Sequence, residues 1–226
     1  MSDKNNLQVQ PVAVMQPYFF PYAGYFRLLQ HCKTFVVFDC VQYTRRSWIS
    51  RNEFIKYDST LEWLNMPIMK SSRETKIKDV TFRENDIFKT ENFRFNKLLT
   101  QDELAYLFDI KISPISLLCR QLEWVSEKLS LGSRIIRSSD LAIDENIRGS
   151  QRVVEIVKIL GATEYINLSG GVDLYSETNF RENGITLRIL TPYEGSFSNI
   201  LDRITNENIE SLKSEIREQT IFQIQK

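Results

Sequence analysis

The chain has 226 residues, of which 42% are apolar, and it carries 29 basic and 29 acidic side chains. This length and apolar content suit a single domain with a substantial buried core. The even charge balance argues against bulk nucleic-acid binding through a basic surface. No apolar stretch approaches the ~20 residues of a membrane span, and no secretion signal is visible. We expect a cytoplasmic protein without membrane insertion, with residues 1–10 as a flexible N-terminus.

The start of the chain predicts a strand, a loop, a helix and a second, parallel strand. An apolar run at residues 12–15 precedes the turn-rich residues 16–21. A helical pattern follows at residues 22–32, and a second apolar run covers residues 35–38. Alternation of this kind is typical of α/β domains.

The rest of the chain continues the alternation of strands and helices. Further strands are predicted at residues 61–68, 77–82, 134–141 (where the strand runs into a loop), 164–167 and 185–190, and helices at 146–160, 172–183 and 200–221. Apolar residues at three-to-four spacing predict two or three helices within residues 86–131, which we interpret as a helical insertion or lid. The predicted fold is one α/β domain with a mainly parallel, Rossmann-like sheet flanked by helices.

Polar and aromatic side chains are concentrated where the first two predicted strands end, which is where open α/β sheets bind ligands. This group comprises Gln16, Tyr18, Asp39, Gln42, Tyr43, Arg45, Arg46, Trp48, Arg51 and Asn52. The cysteines Cys32, Cys40 and Cys119 are scattered, and His31 is the only histidine. We therefore predict no metal-ligand set, although a substrate diphosphate could bring Mg²⁺ to Asp39.

Three stretches carry a family resemblance. MQPYFFPYAGYF (15–26), FDCVQYTRRSW (38–48) and LGATEYINLSGGVDLY (160–175) resemble the WbqC-like family of bacterial surface-polysaccharide loci. The resemblance implies a role in O-antigen (lipopolysaccharide) biosynthesis. The implied reaction transfers an acyl or aminoacyl group, glycine in particular, to the amine of a nucleotide-linked 4-amino-4,6-dideoxyhexose. The donor stays open between an acyl-CoA, an aminoacyl-tRNA and an adenylate made from ATP.

Under this resemblance the catalytic candidates are Asp39 as proton acceptor, Gln16 as oxyanion donor, and Tyr43; backbone amides near Gly24 or Gly170 are the alternative oxyanion donors. The arginines Arg45, Arg46 and Arg51 are expected to hold a pyrophosphate. Trp48 or Tyr43 is expected to stack on a base or sugar ring. The remaining substrate-binding candidates are Tyr18, Gly24, Tyr25, Gln42, Asn52, Arg152, Tyr165, Asn167, Ser169 and Gly170.

Structural alternatives stay open for these residues. Asp39 could cap a turn, and the arginines could form surface salt bridges. Gly24 could allow a helix to pack closely on the sheet. The Gly170-Gly171 pair could form a plain tight turn, and Arg152 could lie on a solvated helix face.

The first loop also resembles the layout of HIGH-class nucleotidyltransferases and adenylate-forming ligases. Tyr22 and Tyr25 stand roughly where that class carries its two histidines, which weakens the case for adenylyl transfer. Two other functions remain open: an ATP-dependent amide ligase, and a non-catalytic sugar-nucleotide or protein-binding module of a glycan-assembly complex. The many aromatic residues leave room for a homodimer.

Overall fold

The structure is a computed structural model that describes residues 10–99 and 104–223, with only the backbone for residues 172–174. The predicted flexible N-terminus, apart from Gln10, lies outside the described residues. The strands of the described chain are β1 (Val12–Met15), β2 (Thr34–Val37), β3 (Arg51–Ile55), β4 (Leu61–Asn65), β5 (Arg134–Arg137), β6 (Glu164–Asn167) and β7 (Thr186–Ile189). Five of them form one parallel sheet in the order β5-β2-β1-β6-β7, and β3 and β4 form an antiparallel hairpin.

Side-chain caps begin three of the described helices, at Ser113, Asn199 and Asn208. The helices are α1 (Arg27–His31), α2 (Asn96–Leu99), α3 (Pro114–Lys128), α4 (Gly149–Ile159), α5 (Glu177–Glu182), α6 (Ile200–Asn206) and α7 (Ile209–Glu218), with 3-10 turns at Ala23–Phe26, Ile77–Asp79, Ala105–Phe108, Ser138–Asp140 and Ser169–Leu174. The longest, α3, starts with Pro114 after Ser113, whose Oγ accepts from the Ser116 amide at 3.3 Å. None of the helices in the described ranges is long and apolar enough to cross a bilayer.

Both faces of the sheet are covered by helices. Val12 and Val14 belong to a buried cluster with Val153 of α4, whereas the intervening Ala13 belongs to another cluster with Leu28 of α1. Successive residues of a strand point to opposite faces, so burial on both sides requires an uninterrupted apolar run. β1 is apolar at every position because both of its faces are buried.

The strand order reverses direction once. The chain proceeds outward from β1 to β2 and β5, and then returns to the other side of β1 for β6 and β7. Val12 consequently pairs with Thr34 on one side and with Tyr165 on the other. This confirms the predicted mainly parallel, Rossmann-like α/β fold. In such sheets the switch point, here between β1 and β6, opens a crevice at the carboxyl ends of the strands.

A long insertion connects β2 with β5 and includes the β3–β4 hairpin as well as α2 and α3. Phenylalanines pack it onto the first loop. The Phe19 ring stacks on that of Phe88, with centroids 5.7 Å apart, and the Phe20 ring lies 5.6 Å from that of Phe108. This aromatic contact holds the insertion beside the carboxyl end of β1.

Several predicted elements are wrong in type or extent. Ile77–Asp79 forms a 3-10 turn rather than a strand, and Phe82 makes only an isolated bridge with Ile68. Residues 86–95 are not helical; Phe93 bridges Lys56 beside the hairpin, so its spacing reflects packing around the hairpin.

The predicted helices at 22–32, 172–183 and 200–221 are each divided. The first two contain a 3-10 segment before a short α-helix. The third is interrupted because the Asn208 side chain caps α7, accepting from the Glu210 amide at 3.0 Å and the Ser211 amide at 3.1 Å.

Candidate functional site

A cavity of about 740 Å³ opens at the switch point of the sheet. Its walls come from the carboxyl end of β1 at Met15 and Gln16, the end of β6 from Asn167 onward, and the loop after β7 at Tyr193. Its size is that of cofactor and small-molecule sites, which fall between about 300 and 1,000 Å³. The fold therefore positions a ligand-sized space where α/β sheets commonly bind ligands.

The mouth of this switch-point cavity is aromatic. Its aromatic lining consists of Tyr18, Tyr22, Phe38, Trp48, Tyr175, Tyr193 and Phe197. Phe197 is 67% exposed and Trp48 48% exposed, which is unusual for side chains of this size. The Tyr22 and Phe197 rings lie 4.9 Å apart. Such a rim can stack against a nucleobase or a sugar ring.

Residues with little or no side chain form another part of the lining. Residues 169–171 follow β6 there, and Gly149 and Ser150 begin α4. A Cβ at Gly170 would meet nothing within 4 Å, whereas one at Gly171 would collide with the Asn167 side chain. The N-terminus of α4 adds a positive dipole end to the backbone amides of these residues, which favours a negatively charged group in the cavity.

Arg27 is the one charged side chain among the described residues that line the cavity. It is 1% exposed, and its guanidinium donates to the main-chain oxygens of Gly24 (3.3 Å), Thr191 (3.0 Å) and Gln219 (2.8 Å). No ion pair joins it to a carboxylate in the described part of the chain. Burial lowers the pKa of Arg27 from its ordinary value, and the guanidinium remains charged at neutral pH. Its charge is thus available to an anionic ligand.

The described lining contains no carboxylate, imidazole or thiol. Burial raises the pKa of Tyr18 and Tyr22, and burial together with the hydrogen bond to Glu215 raises that of Tyr193. These phenols therefore stay protonated at neutral pH. Tyr18 and Tyr22 can donate hydrogen bonds to a ligand, whereas the Tyr193 hydroxyl already donates to Glu215, and all three are poor proton acceptors.

The cavity brings together part of the predicted site. Gln16, Tyr18, Trp48, Asn167, Ser169 and Gly170 all line it. Tyr22 lines it as well, but Tyr25 is fully buried and its hydroxyl donates to the Gln16 carbonyl at 2.8 Å. Of the two tyrosines aligned with the missing histidines, only Tyr22 reaches the cavity.

Asp39 lies outside the cavity lining and is fully buried. Its carboxylate accepts from Ser138 Oγ (2.8 Å), from the Ser139 amide (2.9 Å) and Oγ (2.7 Å), and from Arg137 Nε (2.9 Å). With its oxygens occupied in this way, Asp39 holds the turn after β5. The geometry favours the turn-capping alternative over the proton-accepting role.

The predicted pyrophosphate arginines do not converge on the cavity. Arg45 and Arg46 line a separate cleft, as does Tyr43, whose hydroxyl donates to Ser50 Oγ at 2.8 Å. The Arg51 guanidinium lies 4.2 Å from the centre of the Trp63 ring. These arginines therefore cannot act as one clamp on a ligand in the cavity.

Other predicted residues have structural contacts. The Gln42 amide donates to the Arg73 carbonyl, and Arg152 donates to the carbonyls of Asp144 (3.0 Å) and Ile147 (3.2 Å).

Gly24, Asn52 and Tyr165 are also packed into the fold rather than exposed to the cavity. A Cβ at Gly24 would lie 2.6 Å from Tyr193 Cγ, as expected for a close-packing glycine. Tyr165 stacks on Phe180 with centroids 5.2 Å apart, and the Asn52 amide donates to the carbonyls of Phe19 and Phe20.

Sequence reasoning missed several lining residues. Tyr193 and Phe197 follow β7, so applying the strand-end rule to the last strand would have found them. Gly149 and Ser150 lie just inside the predicted helix at residues 146–160. Arg27 has no sequence signal, because its pattern within α1 resembles that of an exposed helical arginine.

Three comparisons with known proteins bear on identity. No solved structure matches the chain significantly. The chain is 27% identical over 188 residues to uncharacterized protein Rv1507c of Mycobacterium tuberculosis (strain ATCC 25618 / H37Rv), which covers 78% of this chain and 80% of that protein. Residues 16–200, which include every part of the cavity lining from Gln16 to Phe197, match the WbqC-like protein family. The chain belongs to the WbqC-like protein family.

Proposed function

We propose that the switch-point cavity binds a nucleotide-linked amino sugar, and that the protein transfers an acyl or aminoacyl group to the sugar amine during surface-glycan biosynthesis. The observation that carries this proposal is Arg27, a buried cation in the cavity wall whose described neighbours include no paired carboxylate. The hydrogen bonds from its guanidinium to three main-chain oxygens offset part of the cost of burying this charge, but no described carboxylate supplies a counter-charge. An anionic ligand supplies that counter-charge.

A nucleoside diphosphate sugar matches the two halves of the cavity. Its diphosphate suits the Arg27 guanidinium, the amides near Gly170 and the N-terminus of α4. Its base or sugar ring suits the aromatic mouth at Tyr22 and Phe197. Family membership supports the link to amino sugars, which the lining alone does not specify.

The lining also constrains the chemistry of transfer. The sugar amine attacks the acyl carbonyl carbon, and the carbonyl oxygen becomes an oxyanion that needs hydrogen-bond donors. The Gln16 side-chain amide and the Tyr18 hydroxyl, which line the cavity shortly after β1, are such donors. Because the described lining offers no base, the amine enters uncharged, and water takes its proton after attack.

The test uses a matched pair of glycine variants. Gly170 lines the cavity and Gly132 does not, a Cβ at either would meet nothing within 4 Å, and neither glycine has a positive φ. Thermal shift is measured with dTDP- and UDP-amino sugars, ATP and CoA. A ligand at a hundredfold excess over its Kd stabilises by about 2.7 kcal/mol.

We expect a nucleotide-linked amino sugar to stabilise the wild type and Gly132→Ala equally, and Gly170→Ala less. Equal shifts in both variants, or no shift with any sugar nucleotide, would contradict the proposal. Stabilisation by ATP, with AMP and pyrophosphate released during turnover, would favour the amide ligase instead.

A non-catalytic sugar-nucleotide-binding module is the second candidate, and the lack of a base in the described lining favours it. Mass spectrometry of the sugar nucleotide after incubation with donors separates the two functions. An acylated product supports the transferase. Binding without any mass change, across acyl-CoA, aminoacyl-tRNA and ATP with amino acids, supports the module.

A further inference from the structure

A second concave site lies beside the β3–β4 hairpin. This cationic cleft has a volume of about 320 Å³ and is lined by Arg45, Arg46, Lys70 and Arg83 over a floor that includes Met66. None of its described lining residues is acidic. Arg83 pairs with Asp86 at 2.9 Å, while no ion pair involves Arg45, Arg46 or Lys70 in the described ranges. The cleft therefore concentrates positive charge that is not neutralised locally.

The backbone at Arg46 is held in an unfavourable conformation. Its φ is +56°, in the left-handed region that favours glycine. An ordinary residue there costs about 1–2 kcal/mol. Arg45 holds this turn by donating to the Ser71 carbonyl. Strained residues of this kind concentrate at binding sites, so an arginine where stability favours glycine indicates that its charge is used.

An aromatic pair connects the cationic cleft to the switch-point cavity. Trp48 lines the cavity, and its ring lies 5.5 Å from the ring of Trp63, which is 37% exposed. The Arg51 guanidinium lies 4.2 Å from the centre of the Trp63 ring. Asn65, which is two residues after Trp63 in β4, lines the cationic cleft. A surface suited to stacking a heteroaromatic ring thus lies between the two sites.

We propose that the cationic cleft binds the phosphate groups of a small nucleotide-based acyl donor, a thioester of the coenzyme A class. Its base packs against the Trp48–Trp63 pair, and its acyl group enters the cavity past Trp48. This inference rests on the proposed transferase function and names its donor. In the transfer, the amine nitrogen–carbonyl carbon bond forms and the carbon–sulfur bond breaks. The amine proton passes to water, and the departing thiolate is protonated by solvent.

Two observations favour a small donor over an RNA-linked one. A volume of about 320 Å³ fits a few phosphates, whereas an RNA needs an extended basic face. The chain as a whole has 29 basic and 29 acidic side chains, so it has no overall excess of positive charge.

The test measures CoA and acetyl-CoA binding to the full chain by tryptophan fluorescence and calorimetry, at one fixed salt concentration. Arg46→Gly removes the cation and also relieves the left-handed strain, so we expect an equal or higher Tm with at least tenfold weaker CoA binding. Lys70→Ala should weaken binding severalfold. Lys111→Ala, which removes an exposed cation outside both sites, should change nothing.

The outcomes separate this inference from the proposed function. Unchanged CoA affinity in Arg46→Gly and Lys70→Ala would overturn the inference, as would tight tRNA binding that these variants abolish. A sugar nucleotide that binds while CoA does not would overturn it and leave the proposed function standing. CoA binding that depends on Arg46, without any sugar-nucleotide binding, would support the cleft and count against the proposed acceptor.

Discussion

The side-chain amide of Asn52 donates to the carbonyl of Phe20 at 2.9 Å, and Phe20 has a φ of +46°. The same amide donates to the Phe19 carbonyl at 3.0 Å. Asn52 belongs to the hairpin, whereas Phe19 and Phe20 belong to the loop after β1. One buried amide therefore holds the strained first loop in the conformation that shapes the cavity wall.

Replacing Asn52 should unfold the protein more readily. Asn52→Ala leaves two buried carbonyls without a donor, and we expect a loss of about 2–3 kcal/mol in the free energy of unfolding. Urea denaturation measures it. Asn65→Ala in the neighbouring strand of the hairpin is the control, because Asn65 is exposed and should cost at most ~0.5 kcal/mol. Equal effects in both variants would contradict the role of Asn52.

The main expected effect of Asp39→Asn is a lower free energy of unfolding rather than the loss of a catalytic group. The amide cannot accept from all the donors that now face the carboxylate, and the Arg137 charge loses its partner. We expect a loss of roughly 3 kcal/mol by chemical denaturation. Asp140→Asn changes an exposed carboxylate of the same turn and should be nearly neutral. Lost turnover at an unchanged unfolding midpoint would restore Asp39 as a catalytic candidate.

The pH dependence of transfer should follow the substrate rather than the protein. The raised pKa values of Tyr18, Tyr22 and Tyr193 keep these phenols protonated across the neutral range. We therefore expect kcat/KM to rise with pH through one ionisation, that of the sugar amine. Two amino sugars with different amine pKa values should give profiles displaced by that difference. A rise at the same pH for both would reveal a base on the protein.

Asp202 should make stability depend on pH in the direction opposite to most carboxylates. It is 2% exposed and its Oδ1 has no partner in the described residues; burial, the leading cause, raises its pKa. The contribution of neutral Asp202 to the free energy of unfolding is therefore fully present below the ordinary aspartate pKa. It is lost as the pH rises through the raised pKa of Asp202. Asp202→Asn keeps a neutral side chain, so at pH 7 it should match or exceed the wild type, by up to about 1 kcal/mol.

Thermal unfolding of the two proteins between about pH 4 and pH 8 measures this, and their difference should shrink toward acid. Asp58→Asn is a control of opposite sign. Hydrogen bonds from Thr60 are the leading cause of a lowered pKa at Asp58, so the stability that this carboxylate contributes is present at neutral pH and lost on acidification. Asp202→Asn that destabilises more at pH 7 than at pH 4 would contradict this reading of Asp202.

The fold was predictable because the sheet is buried on both faces. β1 is apolar throughout, β2 is apolar from Phe35 to Val37, and β6 was predicted with its observed bounds, Glu164–Asn167. The irregular parts were not predictable from periodicity. Phe88 and Phe95 are seven residues apart, as on one face of a helix, but Phe88, Phe93 and Phe95 are positioned by contacts with Phe19 and Phe54 from elsewhere in the chain.

Among the candidates that line the cavity, Gln16 was proposed because it follows the first predicted strand, and Asn167, Ser169 and Gly170 were proposed because their stretch resembles the family. Asp39 also follows a strand, yet its carboxylate is engaged by Arg137, Ser138 and Ser139, which only the folded sheet brings near. Arg27 was missed for the converse reason, because its burial depends on Thr191 and Gln219 at the other end of the chain.

The position of β1 at the centre of the sheet has a consequence during synthesis on the ribosome. Val12 needs Tyr165 as a partner, so one edge of β1 stays open until most of the chain has emerged. An open, apolar strand edge invites pairing with other chains. N-terminal fragments that stop before β6 should therefore collect in the insoluble fraction when expressed, and slower elongation across the β2–β5 insertion should lengthen the dependence of the nascent chain on chaperones.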